Sequence, residues 1–562
     1  MTVQNILRST KWVEIPTNLS IAELMNDNVS NTSYDKIIYE DALTGKTATY
    51  GGFRRQVRQS AYWLQHVLGV KPGQKISILC PSCIDYILVV HAAWWIGAVA
   101  SPINNSLHRK EIAYAVDLIQ PDYLVIHDSL FETVPKALEL CQKRPPRLQI
   151  LTLGNGHSNW GSFPTSAILN AQEALFPEEE QAFSLNGQDS SKTLSAILLS
   201  SGTTGSPKAV MLSHYNLISA IYQLRADNPD NWRGSQREIF FPPLSHVYAL
   251  YVCMTGACWL GAYVCLMPRF DLEVFCRLMQ DRKATLARLV PPIAKLLAEN
   301  PSVQKYKYAS LEYFSCSAAP LNAETAGKLR KVFPSVALCQ TYGCTELSGP
   351  CVQSGVRDKA LPLSAAGTLI ANTEMRFVDL DGADVGSKGP GEVTVRGPNV
   401  MMGYKENPEA TANSQIDGEW YRTGDLGYID GNGFLVIFDR IKDIIKYNGF
   451  QVSPTELEEI LVKHHLVDEA AVCGVWSEKD LTELPRAYVV LKRSISHSSE
   501  DRIAHAKSIS IFVSGQVSSY KQLKGGVVFV DALPKNPTGK VLRRVLRTER
   551  ERFERGGITA KL

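Results

Sequence analysis

Charge of one sign is nearly missing in excess: the 562 residues carry 59 Lys+Arg against 56 Asp+Glu, a net charge of +3. So balanced a surface offers no field that would gather nucleic acid or an anionic membrane, and neither partner is expected. Also missing is an apolar leader, since MTVQNILRSTKW has no hydrophobic core of the signal-peptide kind, and secretion is not expected. The 12 cysteines lack the regular spacing of a disulfide framework and sit in apolar runs such as CMTGACWLGAYVC (253–265), so they read as reduced thiols. The one CxxC, Cys80 to Cys83, has no second pair or nearby His to complete a zinc site. A single uncharged run, Val247 to Met267, is long enough to span a bilayer. Thr255, Gly256 and Gly261 instead divide it into a helix ending near Leu260-Gly261 and a buried strand AYVCLM, so the chain is not read as membrane-spanning.

What is present is ordinary globular composition, 45% apolar and 20% charged, in a chain too long for one hydrophobic core. Strand-like runs (KISILC, AVASPI, YLVIH, AILLS, YVCLM, ATLARLV, YFSCSAA) alternate with helical patterns such as FRRQVRQSAYWLQHVL and HRKEIAYAVDLI, the texture of a layered α/β domain. From Ser364 to Arg396 short runs separated by glycine predict a small, mainly antiparallel β unit. Near Asp439-Arg440-Ile441-Lys442 a boundary is expected, before a helix SPTELEEILVKHH capped by Ser453 with Pro454 in its first turn. The expected fold class is therefore α/β: a large multi-subdomain domain with a small β unit (1–439), and a small mobile α+β domain (440–562).

The most informative segment follows the strand-like TLSAILLS. In Ser200-Ser201-Gly202-Thr203-Thr204-Gly205-Ser206-Pro207-Lys208, two glycines permit a tight turn that aims N–H groups at an anion, hydroxyls add donors and Lys208 adds charge. A polyphosphate suits such a loop. It is not a Walker A loop, which needs Lys directly after the second Gly; here Ser206 and Pro207 intervene.

SSGTTGSPKAVMLSH resembles the signature loop of the adenylate-forming superfamily, which includes acyl-CoA synthetases, coumarate:CoA ligases, beetle luciferases and the adenylation domains of peptide synthetases. The resemblance continues in order through Gln340-Thr341-Tyr342-Gly343-Cys344-Thr345-Glu346, GEVTVRGPNVMMGY (391–404), Tyr421-Arg422-Thr423-Gly424-Asp425, DRIKDIIKYNGFQVSPTELE (439–458) and Pro537-Thr538-Gly539-Lys540. The texture is closest to the coumarate:CoA ligase and luciferase branch. The resemblance implies a two-step reaction with ATP, Mg²⁺ and coenzyme A: a carboxylate attacks the α-phosphate to give an acyl-adenylate, and a thiol then displaces AMP. Bringing one anion to another requires cations fixed around the phosphates.

Carried over by motif, Ser200, Ser201, Gly202, Thr203, Thr204 and Lys208 cradle the β and γ phosphates, Thr345 donates to the α-phosphate and Glu346 helps hold Mg²⁺. Gln340, Thr341 and Tyr342 line the nucleotide, with Tyr342 along the adenine; Asp425 accepts the ribose hydroxyls and Arg440 reaches the nucleotide. Lys540 is the catalytic cation of adenylation. Lys442 is the hinge about which the small domain turns so that Lys446 replaces Lys540, with Asn448, Gly449, Phe450, Gln451 and Arg269 toward coenzyme A; the matching ligases carry Lys where this chain has Asn448. His246, Tyr248, Ser317, Ala318, Ala319 and Thr341 wall the acyl pocket, Ser317 and Thr341 replacing the family's glycines.

The function this implies is an ATP-dependent carboxylic acid:CoA ligase of specialised metabolism acting on a medium-chain, aromatic or specialised small-molecule acid. The alternatives are luciferase-like oxidation, carrier-protein loading, or a silent acyl-binding relative, whose expected loss of Glu346, Asp425 or Lys540 is not seen. Ala560-Lys561-Leu562 resembles the peroxisomal Ser-Lys-Leu address, implying an import receptor as partner and the peroxisome, otherwise the cytoplasm, as location.

Overall fold

The computed structural model describes residues 5–153, 161–162, 181–200, 207–319, 321, 323–356, 362, 365–379, 381–387, 389–448, 450–478, 480–492, 499–535 and 539–548. Two large sheets carry the first part of the chain. In the eight-stranded sheet, Leu194–Ser200, Val99–Ile103, Lys75–Leu79, Tyr123–His127 and Gln149–Leu153 lie parallel and adjacent in that order. These are the apolar runs of the sequence, hydrophobic at nearly every position because helices cover both faces. Helix Ile84–Trp95, buried almost throughout its length, packs on this sheet, and helix Tyr50–Tyr62 packs on that helix in turn.

In the nine-stranded sheet six strands run parallel, in the spatial order Ile37–Asp41, Tyr263–Leu266, Arg237–Phe240, Leu286–Leu289, Tyr313–Cys316, Ala337–Cys344. The chain fills one side from Arg237–Phe240, then crosses to fill the other from Leu286–Leu289. Ligands of open parallel sheets bind beyond the carboxyl ends of the strands at such a reversal.

The uncharged run 247–267 is a buried helix, not a span: an α-turn Val247–Ala249, a π-helical stretch Leu250–Ala257, and a stop at Gly261, whose φ of +65° is left-handed. A Cβ at Gly261 would stand 2.1 Å from Thr32 Oγ1, so both backbone and packing require glycine. Strand Tyr263–Leu266 follows, as expected. No helix among the described residues is long and apolar enough to cross a membrane. All twelve cysteines are free thiols, nine of them buried and three partly so, with Cys80 and Cys83 Sγ atoms 3.8 Å apart.

The β unit is larger than the sequence texture suggested. Its sheet recruits Leu7–Arg8 at one edge, beside Glu374–Val378 and Gly391–Arg396, and extends through Trp420–Ile429 to Leu435–Arg440. Beyond it a separate core, built on Val452, Leu457, Val472, Val489 and Phe529, packs helix Pro454–Leu461 and helix Ser499–Ser514 against a three-stranded sheet. Ser453 Oγ caps the first of these helices by accepting from Glu456 N–H at 3.2 Å, with Pro454 in its first turn. A cleft of about 490 Å³ runs between the β unit (Leu426, Phe438) and this last part (Ile444, Gln451, Glu456).

Candidate active site

The two ends of the phosphate loop are held by a hairpin. Strands Leu194–Ser200 and Lys208–Ser213 pair antiparallel with Ser200 opposite Lys208. Loop residues Ser201, Gly202, Thr203 and Thr204 lie outside the described residues. Ser200 Oγ is buried and has no hydrogen-bond partner among the described residues, an unusual state for a hydroxyl at the mouth of a loop unless a ligand completes it. Strand Gly403–Tyr404 adds to the same sheet, placing Tyr404 opposite Val210. Lys208 Nζ then sits 4.6 Å from the Tyr404 ring centroid, a cation–π contact, while the Tyr404 hydroxyl donates to Glu346 Oε1 at 3.0 Å. Burial and Glu346 both push the Tyr404 phenol upward, so it stays a donor.

Glu346 owes its position to a change of partner within one strand. Ala337–Cys344 begins parallel to Tyr313–Cys316 and ends antiparallel to Gly349–Gln353, with a break in register at Tyr342/Gly343. A Cβ at Gly343 would lie 2.1 Å from the Gly349 carbonyl oxygen, so the motif needs glycine there. The 3₁₀ turn Thr345–Leu347 follows, closed by Ser348 at φ +55°. Asn399, from the GPNV motif, clamps this turn by donating to Leu347 O at 2.9 Å, and its own carbonyl accepts from Ser348 Oγ at 2.9 Å. Glu346 is thereby a buried carboxylate with one neutral donor, next to the hairpin that carries Lys208. Hard oxygen of this kind fits Mg²⁺. Among the described residues no group of three or more metal-ligating side chains forms, so the remaining ligands of such an ion would be phosphate and water oxygens.

At the other end Tyr342, Asp425 and Arg440 form one constellation. Tyr342 Oη donates to Asp425 Oδ2 at 2.8 Å, and Arg440 Nε pairs with Asp425 Oδ1 at 2.6 Å. The last pair is a rung of a hairpin, because Asp425 in Trp420–Ile429 lies opposite Arg440 in Leu435–Arg440. Burial, the Asp425 charge and Cys351 hold the Tyr342 phenol well above its usual range. Gln340 is buried one layer below, its amide donating to Ala365 O at 2.9 Å and its backbone N–H to Ser354 Oγ at 2.8 Å. Thr341 is half-buried on the same strand, opposite Gln353.

The last domain presents Lys540 to this constellation. A bridge between Lys535 and Val541 closes the loop that carries it. Gly539, at φ +82°, abuts Pro292, where a Cβ would fall 2.6 Å from Cγ. Burial pushes Lys540 down to about 8, Arg440 pushes the same way, and Asp425 opposes them. Lys442 is lowered too, by burial and Arg440. The segment around Lys442 is tied to the terminal helix: Arg547 Nη1 donates to Lys442 O at 3.3 Å, and Arg543 pairs with Asp443 at 3.4 Å and Glu458 at 2.7 Å. Lys446 is exposed on the hairpin of Ile445–Tyr447 with Phe450–Val452, near Asn448 at φ +46° and Phe450, which is 52% exposed and stacked on Tyr520 at 4.5 Å. Gly449 lies outside the described residues; Gln451 lines the cleft, and Arg269 is exposed after strand Tyr263–Leu266.

On the acyl side, His246 caps the turn Val247–Ala249, its Nδ1 accepting from Tyr248 N–H at 3.2 Å, and burial lowers it to about 4, so the ring is neutral. Tyr248 is buried. Ser317, Ala318 and Ala319 leave the end of strand Tyr313–Cys316, and Ala318 takes a left-handed φ of +73°, a strained conformation for a residue with a Cβ. Tyr404 and Asn399 were missed as site residues by sequence reasoning, although both lie inside the motif GEVTVRGPNVMMGY (391–404).

Two family descriptions match the chain: AMP-binding enzyme over residues 26–405, and AMP-binding enzyme C-terminal domain over residues 456–540. The chain belongs to the AMP-binding enzymes of the adenylate-forming superfamily. Among curated relatives, 4-coumarate–CoA ligase 1 of Petroselinum crispum is 33% identical over 95% of this chain and 95% of its own. A probable 4-coumarate–CoA ligase 2 of Dictyostelium discoideum is 30% identical over 91% of this chain and 92% of its own. Among solved structures, ATP-bound MatB of Rhodopseudomonas palustris superposes with a TM-score of 0.81 at 25% identity, covering 95% of this chain and 99% of that one. A benzoate CoA ligase of Burkholderia xenovorans LB400 shares the fold at a TM-score of 0.79 and 23% identity, covering 94% of this chain and 99% of that one. The AMP-binding enzyme described here is an AMP-forming acid–thiol ligase that uses ATP, Mg²⁺ and coenzyme A.

Proposed function

We propose that this ligase joins a medium-chain, aromatic or specialised-metabolism acid to coenzyme A, in two half-reactions served by two positions of the domain 440–562, and that it works in peroxisomes. The observation that carries the reading is the setting of Lys540. Its ammonium feels the charges of Arg440 and Asp425, which are themselves paired, while Lys446 is exposed on the hairpin 445–452, the arrangement suited to the first half-reaction.

In that arrangement Asp425 holds the ribose hydroxyls, Tyr342 lies along the base and Thr345 donates to the α-phosphate. Lys208 and the loop of Ser200, Ser201, Gly202, Thr203 and Thr204 hold the outer phosphates. Glu346, oriented by the Tyr404 hydroxyl, is the protein ligand for Mg²⁺, which when bound supplies charge neutralisation of the polyphosphate. Lys540 neutralises the charge that develops between carboxylate and α-phosphate; a preorganised cation in a water-poor site is the strongest form of this help. Rotation about Lys442 then removes Lys540 and brings Lys446, Asn448, Gly449, Phe450 and Gln451 to the adenylate, with Arg269 at the nucleotide end of coenzyme A. The peroxisomal setting rests on Ala560-Lys561-Leu562, which lies outside the described residues.

The test is pyrophosphate release with ATP and Mg²⁺ over fatty, cinnamic, phenylacetic and hydroxy acids, with and without coenzyme A. Release confined to one acid class, and made multiple-turnover only by coenzyme A, is the expected result. Turnover that ignores coenzyme A would refute thioester formation. A fluorescent protein ending in the last twelve residues should enter peroxisomes and should stay cytosolic when Leu562 is removed.

A further inference from the structure

Cys80 and Cys83 lie between a strand and a helix. Lys75–Leu79 ends at Cys80, Cys83 is the residue before helix Ile84–Trp95, and Val99–Ile103 returns parallel to the first strand. A CxxC pair in such a strand, helix, strand setting has the pattern of a redox motif. The two Sγ atoms are 3.8 Å apart, in contact without being bonded. They differ in access. Cys80 is 3% exposed and its thiol is pushed up, first by its hydrogen bond to Cys83 and then by burial, whereas Cys83 is partly open to solvent.

Tyr86, three residues after Cys83, is 1% exposed, and its hydroxyl is buried with no hydrogen-bond partner among the described residues. Besides burial, Cys80 and Cys83 hold its phenol well above the usual range, so it remains a donor. Sulfur is a weak acceptor for such a donor, and an oxygen carried on sulfur is a good one. The turn between the cysteines also ties the two large sheets together. Ser82 Oγ accepts from Leu244 N–H at 3.4 Å, and Ile84 N–H donates to Asp41 Oδ1 at 3.1 Å. Asp41 ends one strand of the nine-stranded sheet, and Leu244 lies beyond the end of another, two residues before His246.

We propose that Cys80 and Cys83 are a modification site, oxidised by a hydroperoxide to a reversible disulfide that weakens use of the acid substrate. The Cys83 sulfur attacks one oxygen of hydrogen peroxide, the O–O bond breaks, and Cys83 becomes a sulfenic acid as the first water leaves. The Cys80 sulfur then attacks that of Cys83, the S–O bond breaks, and the hydroxyl departs with the Cys80 proton as a second water. Two thiols and one peroxide thus give one disulfide and two waters. The Tyr86 hydroxyl donates to the sulfenic oxygen and helps it leave. Closing the sulfurs from 3.8 Å to about 2 Å draws Cys83 toward the strand, shifts Ser82, and loosens the segment of Leu244 that leads to His246 and Tyr248. The effect on the acid rests on the reading of those two residues as pocket wall; the disulfide does not.

The test treats the purified enzyme with hydrogen peroxide, blocks remaining thiols with iodoacetamide and weighs the peptide that contains both cysteines. Pyrophosphate exchange, with the acid that the panel above selects, is followed before treatment, after it, and after dithiothreitol. The expected peptide is unalkylated and lighter by two hydrogens than the reduced one. With it, kcat/KM for the acid should fall about tenfold, since small misplacements of positioning segments are costly, while KM for ATP stays unchanged. Dithiothreitol should restore both peptide and rate. Cys83→Ser, with a residue favoured at the start of a helix, should keep the native rate and hold it under peroxide. Cys80→Ser should instead accumulate a Cys83 sulfenic acid that dimedone traps. Two alkylated cysteines after peroxide, a disulfide that leaves acid kinetics unchanged, or a Cys83→Ser enzyme inactivated as fast as the native one would each overturn the inference and leave the ligase reading standing. Silence of the whole panel before any peroxide would strike the ligase reading instead, and the peptide mass would still decide the disulfide.

Discussion

If Lys540 must be charged to assist adenylation, the first half-reaction should fail on the alkaline side much earlier than an ordinary lysine would dictate. The ammonium is desolvated and shares its surroundings with Arg440 and Lys442, which together outweigh Asp425 and bring it to about 8. With that value the charged fraction falls from about nine-tenths at pH 7 to about one-tenth at pH 9. The sign is that of a cationic acid: activity is full below the pKa and lost as pH rises through it. The quantity to follow is kcat/KM for ATP in pyrophosphate exchange, which reports groups of the free enzyme. It should drop about tenfold between pH 7 and 9, while thioester formation from preformed acyl-adenylate, for which Lys446 is the proposed cation, should show no inflection at the same pH. Lys540→Arg should remove the alkaline limb even at reduced rate, because a guanidinium stays charged. A flat profile to pH 9.5, or a parallel fall in both half-reactions, would refute the assignment of Lys540.

Other expectations concern separate parts of the site. Lys446→Ala should spare pyrophosphate exchange and slow thioester formation from adenylate by about a hundredfold, and Lys540→Ala the reverse; equal loss in either variant would sink the two-position scheme. Tyr404→Phe removes the hydrogen bond to buried Glu346, so the Mg²⁺ concentration for half-maximal exchange should rise by about tenfold, as a charge-assisted bond is worth about 1.5–3 kcal/mol; an unchanged requirement would remove Glu346 from the metal site. Gly261→Ala meets Thr32 and a left-handed backbone together, and should lower the unfolding midpoint by several degrees. His91, His214 and His246 are each lowered to about 4 by burial, against 6.5 when unfolded. The unfolded chain therefore binds more protons between those values, and thermal stability should fall as pH drops from about 6.5 toward 4.

How much of this was readable beforehand depends on whether the information was local. The turn chemistry at Ser453-Pro454, the break at Gly261 and the Gly-bounded strands follow from neighbouring residues, and the structure has them where the sequence placed them. The extent of the β unit was not local: Leu7–Arg8 joins its edge through pairing with Met375 and Glu374, and nothing in two residues announces a partner so far along the chain. Tyr342 and Asp425, 83 residues apart, were connected only by resemblance. Physical reasoning on either alone would have left a core tyrosine and a turn aspartate. The buried ion pair of Arg288 with Glu238 escaped altogether, because their meeting depends on which parallel strands become neighbours, and sequence order is reversed between them.

The rung between Asp425 and Arg440 has a mechanical consequence for the proposed rotation. Arg440 is the last residue of its strand, and Lys442 comes two residues later. A swivel at Lys442 would thus turn everything that carries Lys540 and Lys446 while the carboxylate for the ribose stays bolted to a hairpin on the stationary side. AMP would not have to be released and recaptured when one lysine leaves and the other arrives. The activated acid would remain tethered throughout, and the thiol would come to it.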